Sequence, residues 1–82
     1  MNREWVLFHL REAQEALRET IAEIESTPDY GTGEFSVAAT HAYHHLNTAW
    51  HIRDLEPSVI EACKKTDFFA WRQFPSDIDL GP

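Results

Sequence analysis

Two long segments with helical spacing of apolar residues flank one short segment that is dense in turn-forming residues. The first long segment, residues 3–26, contains neither Gly nor Pro, and its apolar positions recur every three or four residues, as one face of an α-helix requires. These positions are Val6, Leu10, Ala13, Leu17, Ile21 and Ile24. Residues 27–33, Thr-Pro-Asp-Tyr-Gly-Thr-Gly, form the predicted loop. A connection this short makes its two helices antiparallel neighbours, so the sequence predicts a helical hairpin.

The second predicted helix, residues 34–55, has a core stripe that is rich in alanine. The stripe consists of Phe35, Ala39, Ala42, Leu46 and Ala49. Tyr43 and Trp50 lie seven residues apart on one flank of this stripe, and Leu7, Gln14 and Ile21 repeat that spacing on the first helix. Heptad spacing is typical of helices that pack at about 20° in bundles. These flanks therefore predict that two hairpins dimerise into a four-helix bundle.

The remaining residues, 57–82, predict a short helix, an aromatic segment and a tail. Pro57 fits the first turn of a helix over residues 57–65. The segment 67–75 carries Phe68, Phe69, Trp71 and Phe74. We expect it to fold across the open side of the hairpin and close the core, because two helices alone cannot bury their own apolar face. The alternative is an aromatic patch that binds a partner. The tail, residues 76–82, is acidic and either docks on the hairpin or stays free.

Length and charge narrow the classes of protein and partner. A chain of 82 residues forms one domain, and a core of that size often needs a disulfide, a metal or a second subunit for stability. Cys63 is the single cysteine, so no intrachain disulfide can form. The net charge of −7 disfavours nucleic acid and anionic membrane as partners. No apolar run is long enough to span a bilayer, and we expect a soluble, cytoplasmic protein with a homodimer as its main assembly.

The histidine-rich stretch from His41 to His51 contains the candidate metal ligands. His41 and His45 are four residues apart and therefore lie on one helical face, and Glu34 lies two turns earlier on the same side. Two imidazoles and a carboxylate are a ligand set for zinc, iron or nickel. The His-Glu-x-x-His and Glu-x-x-His patterns of known metal sites are both absent, because residues 42 and 38 are alanines.

A plain structural role is the preferred interpretation of these histidines: polar side chains with ordinary hydrogen bonds. His44 and His51 lie two turns apart on a polar face, too far from each other to share an ion. If the hairpin turns near Tyr30, His9 lies opposite His51, and acidic residues of the first helix lie opposite His41 and His45. A pH-dependent interface is a further alternative, since protonation near pH 6 would place like charges on one helix.

The function predicted best is a small helical module that acts through self-association and binding to another protein. The alternative is a metal-binding bundle, which would include a metalloenzyme, with ligands from the 41–51 stretch. A hydrolase or transferase with a His–carboxylate pair ranks last, because the sequence offers no set of oxyanion donors and Cys63 has no base near it in the chain. The sequence therefore favours a binding module over an enzyme, and the metalloenzyme stays open as the alternative.

Overall fold

The computed structural model describes residues 1–81 as an all-helical chain built on two long, antiparallel helices. Helix α1 spans Arg3–Ser26 and helix α2 spans Thr32–Ile52, and they pack along each other as the predicted hairpin. Two short helices follow, α3 at Pro57–Ala62 and α4 at Lys65–Trp71. No described helix combines the length and the apolar character needed to cross a membrane. Pro82, the last residue of the predicted tail, lies outside the described residues.

Helix α2 begins two residues before its predicted start and ends three residues before its predicted end. At the start, the Tyr30 amide donates to the Thr27 carbonyl at 3.0 Å and closes a turn, and Glu34 Oε2 accepts from the Gly31 amide at 2.6 Å. The Glu34 carboxylate therefore caps the helix from its first turn. After the end of α2, the backbone hydrogen bonds join residues three apart: the Leu55 amide donates to the Ile52 carbonyl at 3.2 Å.

The register of the hairpin differs from the predicted one. His9 lies opposite His45, six residues before the predicted neighbour His51, and their Nδ1 atoms are 3.1 Å apart. Helix α2 consequently starts alongside the last turn of α1 instead of beyond it. Sequence spacing alone could not give this shift, because it depends on the path of the loop.

Small side chains fill the contact between the two long helices. Ala42 and Ala49 of α2 are buried, as the predicted core stripe required, and Ala13 of α1 is buried beside them. Phe35 and Leu46 of the same stripe are 50% and 44% exposed, so the prediction that they belong to the core is wrong for this single chain. Ile52 and Ile60 complete the buried apolar set. Alanine contributes little apolar area, so this core is small and most large apolar side chains keep part of their surface in water.

The amino-terminal residues fasten the open end of the hairpin. The side chain of Asn2 donates from Nδ2 to the carbonyls of Ile52 at 2.8 Å and Leu55 at 2.6 Å. The Asn2 amide donates to the Arg53 carbonyl at 2.6 Å. Asn2 therefore satisfies carbonyls at the end of α2 that have no partner within the helix.

The predicted helix 57–65 is divided in two. Cys63 has φ of 24°, an uncommon conformation for a residue other than glycine, and the chain changes direction there. Asp67 then accepts from the Lys64 amide at 3.2 Å and caps α4, so helix α4 includes the first half of the predicted aromatic segment 67–75.

The segment after Cys63 packs on α2 through polar bonds more than through its aromatic rings. Phe68, Phe69 and Phe74 remain about half exposed, at 46%, 52% and 58%. The acidic tail also docks: Asp77 accepts from the Trp50 indole at 2.9 Å and lies 3.5 Å from the Arg53 guanidinium.

Candidate functional site

The hairpin has two chemically different sides. At 100° per residue, His9 of α1 and His41 and His45 of α2 project to one side of the plane through the helix axes. A cavity of about 450 Å³ lies there, closed by α3 and α4. We call it the histidine cavity; its polar lining includes His9, His41, His44, His45 and Arg72. Aromatic rings, among them Trp5, Phe8, Phe68 and Trp71, supply much of the rest of its wall.

The histidine cavity is centred on a pair of imidazoles from different helices. The His9 and His45 rings lie 5.4 Å apart at their centroids, tilted by 37°, and their Nδ1 atoms are 3.1 Å apart. In the absence of a third atom between them, one Nδ1 carries the proton and donates to the other. The sequence contained both residues but not their pairing, because the pairing depends on the register of the hairpin.

The same two imidazoles are favoured in their neutral form. Burial is the main cause that lowers the pKa of His9 and of His45. The charge of His45 lowers the pKa of His9 further, and the charge of His41 lowers the pKa of His45 further. Glu12 acts in the opposite direction on both pKa values, with a weaker effect. Neutral imidazole is the form that accepts a hydrogen bond or ligates a metal.

The three predicted metal ligands are only partly brought together. The His41 and His45 rings pack edge to face at 4.9 Å, with His41 exposed. Glu34 is used at the start of α2, where it accepts from the Gly31 amide at 2.6 Å. Within residues 1–81, no three side chains of His, Cys, Asp or Glu are arranged closely enough to hold one ion.

His44 and Arg72 connect the cavity to α4. Arg72 Nη2 contacts the His44 ring, and its guanidinium lies 4.4 Å from the centre of the Phe68 ring. The pKa of His44 is lowered, first by burial and then by the positive charge of Arg72. The burial of His44 and the charge of Arg72 thus both disfavour its protonated form.

The polar row of α2 next to His44 holds the carboxyl end of α4. Asn47 Nδ2 donates to the Arg72 carbonyl at 2.8 Å, and His51 Nε2 donates to the Gln73 carbonyl at 2.9 Å. Thr48 Oγ1 lies 3.5 Å from the Trp71 carbonyl. This row has a structural role: it provides donors for the free carbonyls at a helix end. Sequence reasoning identified the row as polar but missed its partner, since backbone carbonyls leave no signal in a sequence.

Cys63 lines the same cavity as the histidines. In the sequence it lies 12 residues beyond His51, and the fold brings it to the cavity of His41 and His45. Its residue is exposed and its thiol is free. The cavity thus combines imidazole, guanidinium, thiol and aromatic groups with the carboxylate of Glu61, a set that can donate and accept hydrogen bonds and that includes types of metal ligand.

The other side of the hairpin is apolar and uncovered near the loop. We call it the apolar face; its members are Leu10, Leu17, Ile21, Ile24, Phe35, Tyr43 and Leu46. Leu17 is 51% exposed, Ile21 56% and Phe35 50%. A groove of about 250 Å³ runs between the helices here, with Leu17 and Thr20 on one wall and Phe35 and Ala39 on the other. At the opposite end of this side, the docked tail contributes Phe74 and Ile78 to a second groove, of about 410 Å³.

No family model, no curated protein and no solved structure matches the chain. The functional assignment therefore rests on the two sides of the hairpin. One side is polar, aromatic and concave. The other is an apolar face without a partner within residues 1–81.

Proposed function

We propose that the protein is a self-associating helical module in which two hairpins pack through their apolar faces into a four-helix bundle. The observation that carries this proposal is the row of large apolar side chains that are about half exposed on one side of the hairpin. Four-helix bundles bury such rows between pairs of antiparallel helices. The histidine cavity lies on the reverse side, so dimerisation would leave one cavity open on each outer surface.

The exposed area supports a missing partner. The chain exposes 6302 Å² of surface, whereas a compact monomer of this mass is expected to expose roughly 5,000 Å². The excess exceeds the share of about 800 Å² that each partner buries in an interface of standard size. The radius of gyration, 14.6 Å, also exceeds the roughly 12 Å expected for a compact domain of this length.

The distribution of charge supports a second copy as the occupant. Charged pairs lie on the outward side of α1, where Arg18 Nε donates to Glu15 Oε2 at 3.1 Å. The apolar face consists of aliphatic and aromatic side chains from both helices and is therefore self-complementary, which is what a twofold interface requires. A charged or strongly polar partner would leave these side chains unmatched.

A charge placed on the apolar face would test this proposal. In Leu17→Glu/Ile21→Glu, two carboxylates would enter the interface without partners, at a cost of about 3 kcal/mol or more. We expect the dimer to dissociate at least a hundredfold more readily, as measured by sedimentation equilibrium.

Val37→Glu is the matched control, because Val37 is 75% exposed and points away from the apolar face. It should keep the molar mass of the wild type. Circular dichroism of the variant Leu17→Gln/Ile21→Gln at the same concentrations shows whether polar side chains at these two positions unfold the helices. It therefore separates loss of association from loss of folding. Equal molar masses for the wild type and the Glu variant would refute the proposal. A monomeric wild type would also refute it and would indicate that the apolar face binds a different protein.

The alternative function, metal binding by His41, His45 and Glu34, has weaker support. Glu34 is occupied with the Gly31 amide, and a ligand that caps its own helix would have to leave that position to reach an ion. The self-associating module remains the better proposal, since it uses side chains whose present exposure is otherwise unexplained.

A further inference from the structure

We propose that the cross-helix pair His9–His45 chelates a divalent transition metal of the kind that favours imidazole, with Zn²⁺ as the reference ion. This ligand pair differs from the same-helix pair of His41 and His45 because it joins α1 to α2. It is also independent of self-association, because the histidine cavity and the apolar face lie on opposite sides of the hairpin.

The distance between the two nitrogen atoms fits one shared ion. Bonds of 2.0–2.1 Å at a tetrahedral angle place two ligating nitrogens roughly 3.3 Å apart. The Nδ1 atoms of His9 and His45 are 3.1 Å apart, so they need to separate by only a few tenths of an ångström. Each ring would also have to rotate slightly, since in the hydrogen bond the two nitrogens face each other, whereas a shared ion lies to one side of the line between them.

The surroundings of the pair match an open coordination site. The histidine cavity, at about 450 Å³, has room for an ion with further ligands. His41 lies on the same wall, with its ring 4.9 Å from that of His45. Because no third ligand is in place among residues 1–81, the protein supplies two imidazoles, and water or an added ligand completes the shell.

The chemistry of the ligands selects the class of metal. Imidazole suits zinc, copper and nickel, whereas magnesium and calcium prefer oxygen ligands. Binding requires the ring that donates from Nδ1 to change tautomer, with its proton moving through solvent to Nε2, so that each neutral imidazole offers an Nδ1 lone pair and no net proton is released. Because the ligands come from two helices, the metal also holds the register of the hairpin.

The competing interpretation is a hydrogen bond between neutral imidazoles with no affinity for metal. Isothermal titration of untagged, chelator-treated protein with Zn²⁺ distinguishes the two. We expect one Zn²⁺ per chain in the wild type and at least about tenfold weaker binding in His9→Gln and in His45→Gln, since even the loss of a supporting residue costs that much in known sites.

Two further histidine variants locate the site. His51→Gln is the matched control, because His51 bonds to Gln73 away from the pair, and it should bind Zn²⁺ as the wild type does. His41→Gln should retain binding. If His9→Gln binds like the wild type while His41→Gln does not, the ion belongs to the same-helix pair and the proposal is wrong. No binding by the wild type, or equal binding by all variants, would also overturn it.

A spectroscopic readout keeps the test valid if a variant loses stability. The electron paramagnetic resonance spectrum of Cu²⁺ bound to the wild type should show hyperfine coupling to two imidazole nitrogens. The spectrum of the His9→Gln variant should show coupling to one. Circular dichroism of each variant without metal establishes that its helices are intact. A folded His9→Gln variant with an unchanged copper spectrum would contradict the assignment.

Discussion

Asn47 illustrates how a single polar residue determines where a distant segment packs. It is buried, at 8% exposure, and its amide donates to the Arg72 carbonyl at 2.8 Å. The carbonyls that end α4 have no partner inside that short helix, so α2 supplies donors for them. This arrangement accounts for a buried amide within a helix whose other buried residues are apolar.

We predict that Asn47→Ala lowers the free energy of unfolding by about 1–3 kcal/mol, because it leaves a partly buried carbonyl without a donor. Urea denaturation at a fixed protein concentration measures the change. Thr40→Ala is the control: Thr40 is exposed and bonds to Ser36 of its own helix, so the change should stay within about 0.5 kcal/mol. Equal effects of the two substitutions would mean that Asn47 does not hold α4.

At the residue scale, the sequence predicted classes of side chain better than their partners. The alanine stripe predicted the buried Ala42 and Ala49, because small residues at helical spacing indicate close helix packing. The pairing of His9 with His51 was wrong, since the real register places His9 beside His45. That register depends on the fold of the loop, which residue spacing does not encode.

At the scale of elements, one carboxylate of the tail after α4 bonds directly to α2. Asp77 Oδ1 accepts from the Trp50 indole at 2.9 Å, and Arg53 lies beside both, with its guanidinium 3.9 Å from the Trp50 ring centre. The bond from Trp50 lowers the pKa of Asp77 below its ordinary value, and Arg53 adds to the effect. A carboxyl whose pKa is lower in the folded state stabilises docking above the unfolded pKa and loses that contribution as the pH falls through the folded pKa.

We therefore predict that the tail stays docked at neutral pH and detaches in acid. The indole N–H resonance of Trp50, followed by NMR, should titrate with a midpoint below 3.8, the reference pKa of an aspartate. Asp77→Ala should move the resonance and abolish the titration, whereas Asp79→Ala should leave both unchanged. A midpoint at or above the reference value would show that the carboxylate does not hold the indole.

The long helices could be predicted from the sequence, and the short ones only approximately. Helix α1 follows from a segment without Gly or Pro and with regular apolar spacing, and its ends match the predicted ones. The division of the predicted helix 57–65 at Cys63 could not be foreseen, because cysteine is not a turn-forming residue and a positive φ is uncommon for residues other than glycine.

At the scale of the whole molecule, a small alanine core coexists with a large exposed apolar surface. The buried apolar residues are three alanines and two isoleucines, whereas Leu17, Ile21 and Phe35 are about half exposed. A chain that is stable alone would bury more of its large side chains. The proposed dimer would account for both features, since one bundle core would replace two separate uncovered faces.

The tail covers part of the α2 flank, with Tyr43 and Trp50, that the sequence predicts as the dimer contact. Tyr43 and Leu46 line both the groove near the loop and the groove to which the tail contributes, and Trp50 is bonded to the tail through Asp77. The proposed interface is therefore centred nearer the loop, around Leu17, Ile21 and Phe35. The sequence indicated the face from heptad spacing and could not indicate which end the tail covers.

The most direct test is the molar mass of the untagged wild-type protein in solution at micromolar concentration, measured by light scattering during size-exclusion chromatography. Self-association predicts twice the chain mass of 9.5 kDa, with dissociation only on strong dilution. A mass of one chain throughout the micromolar range, with the helices intact by circular dichroism, would contradict the account.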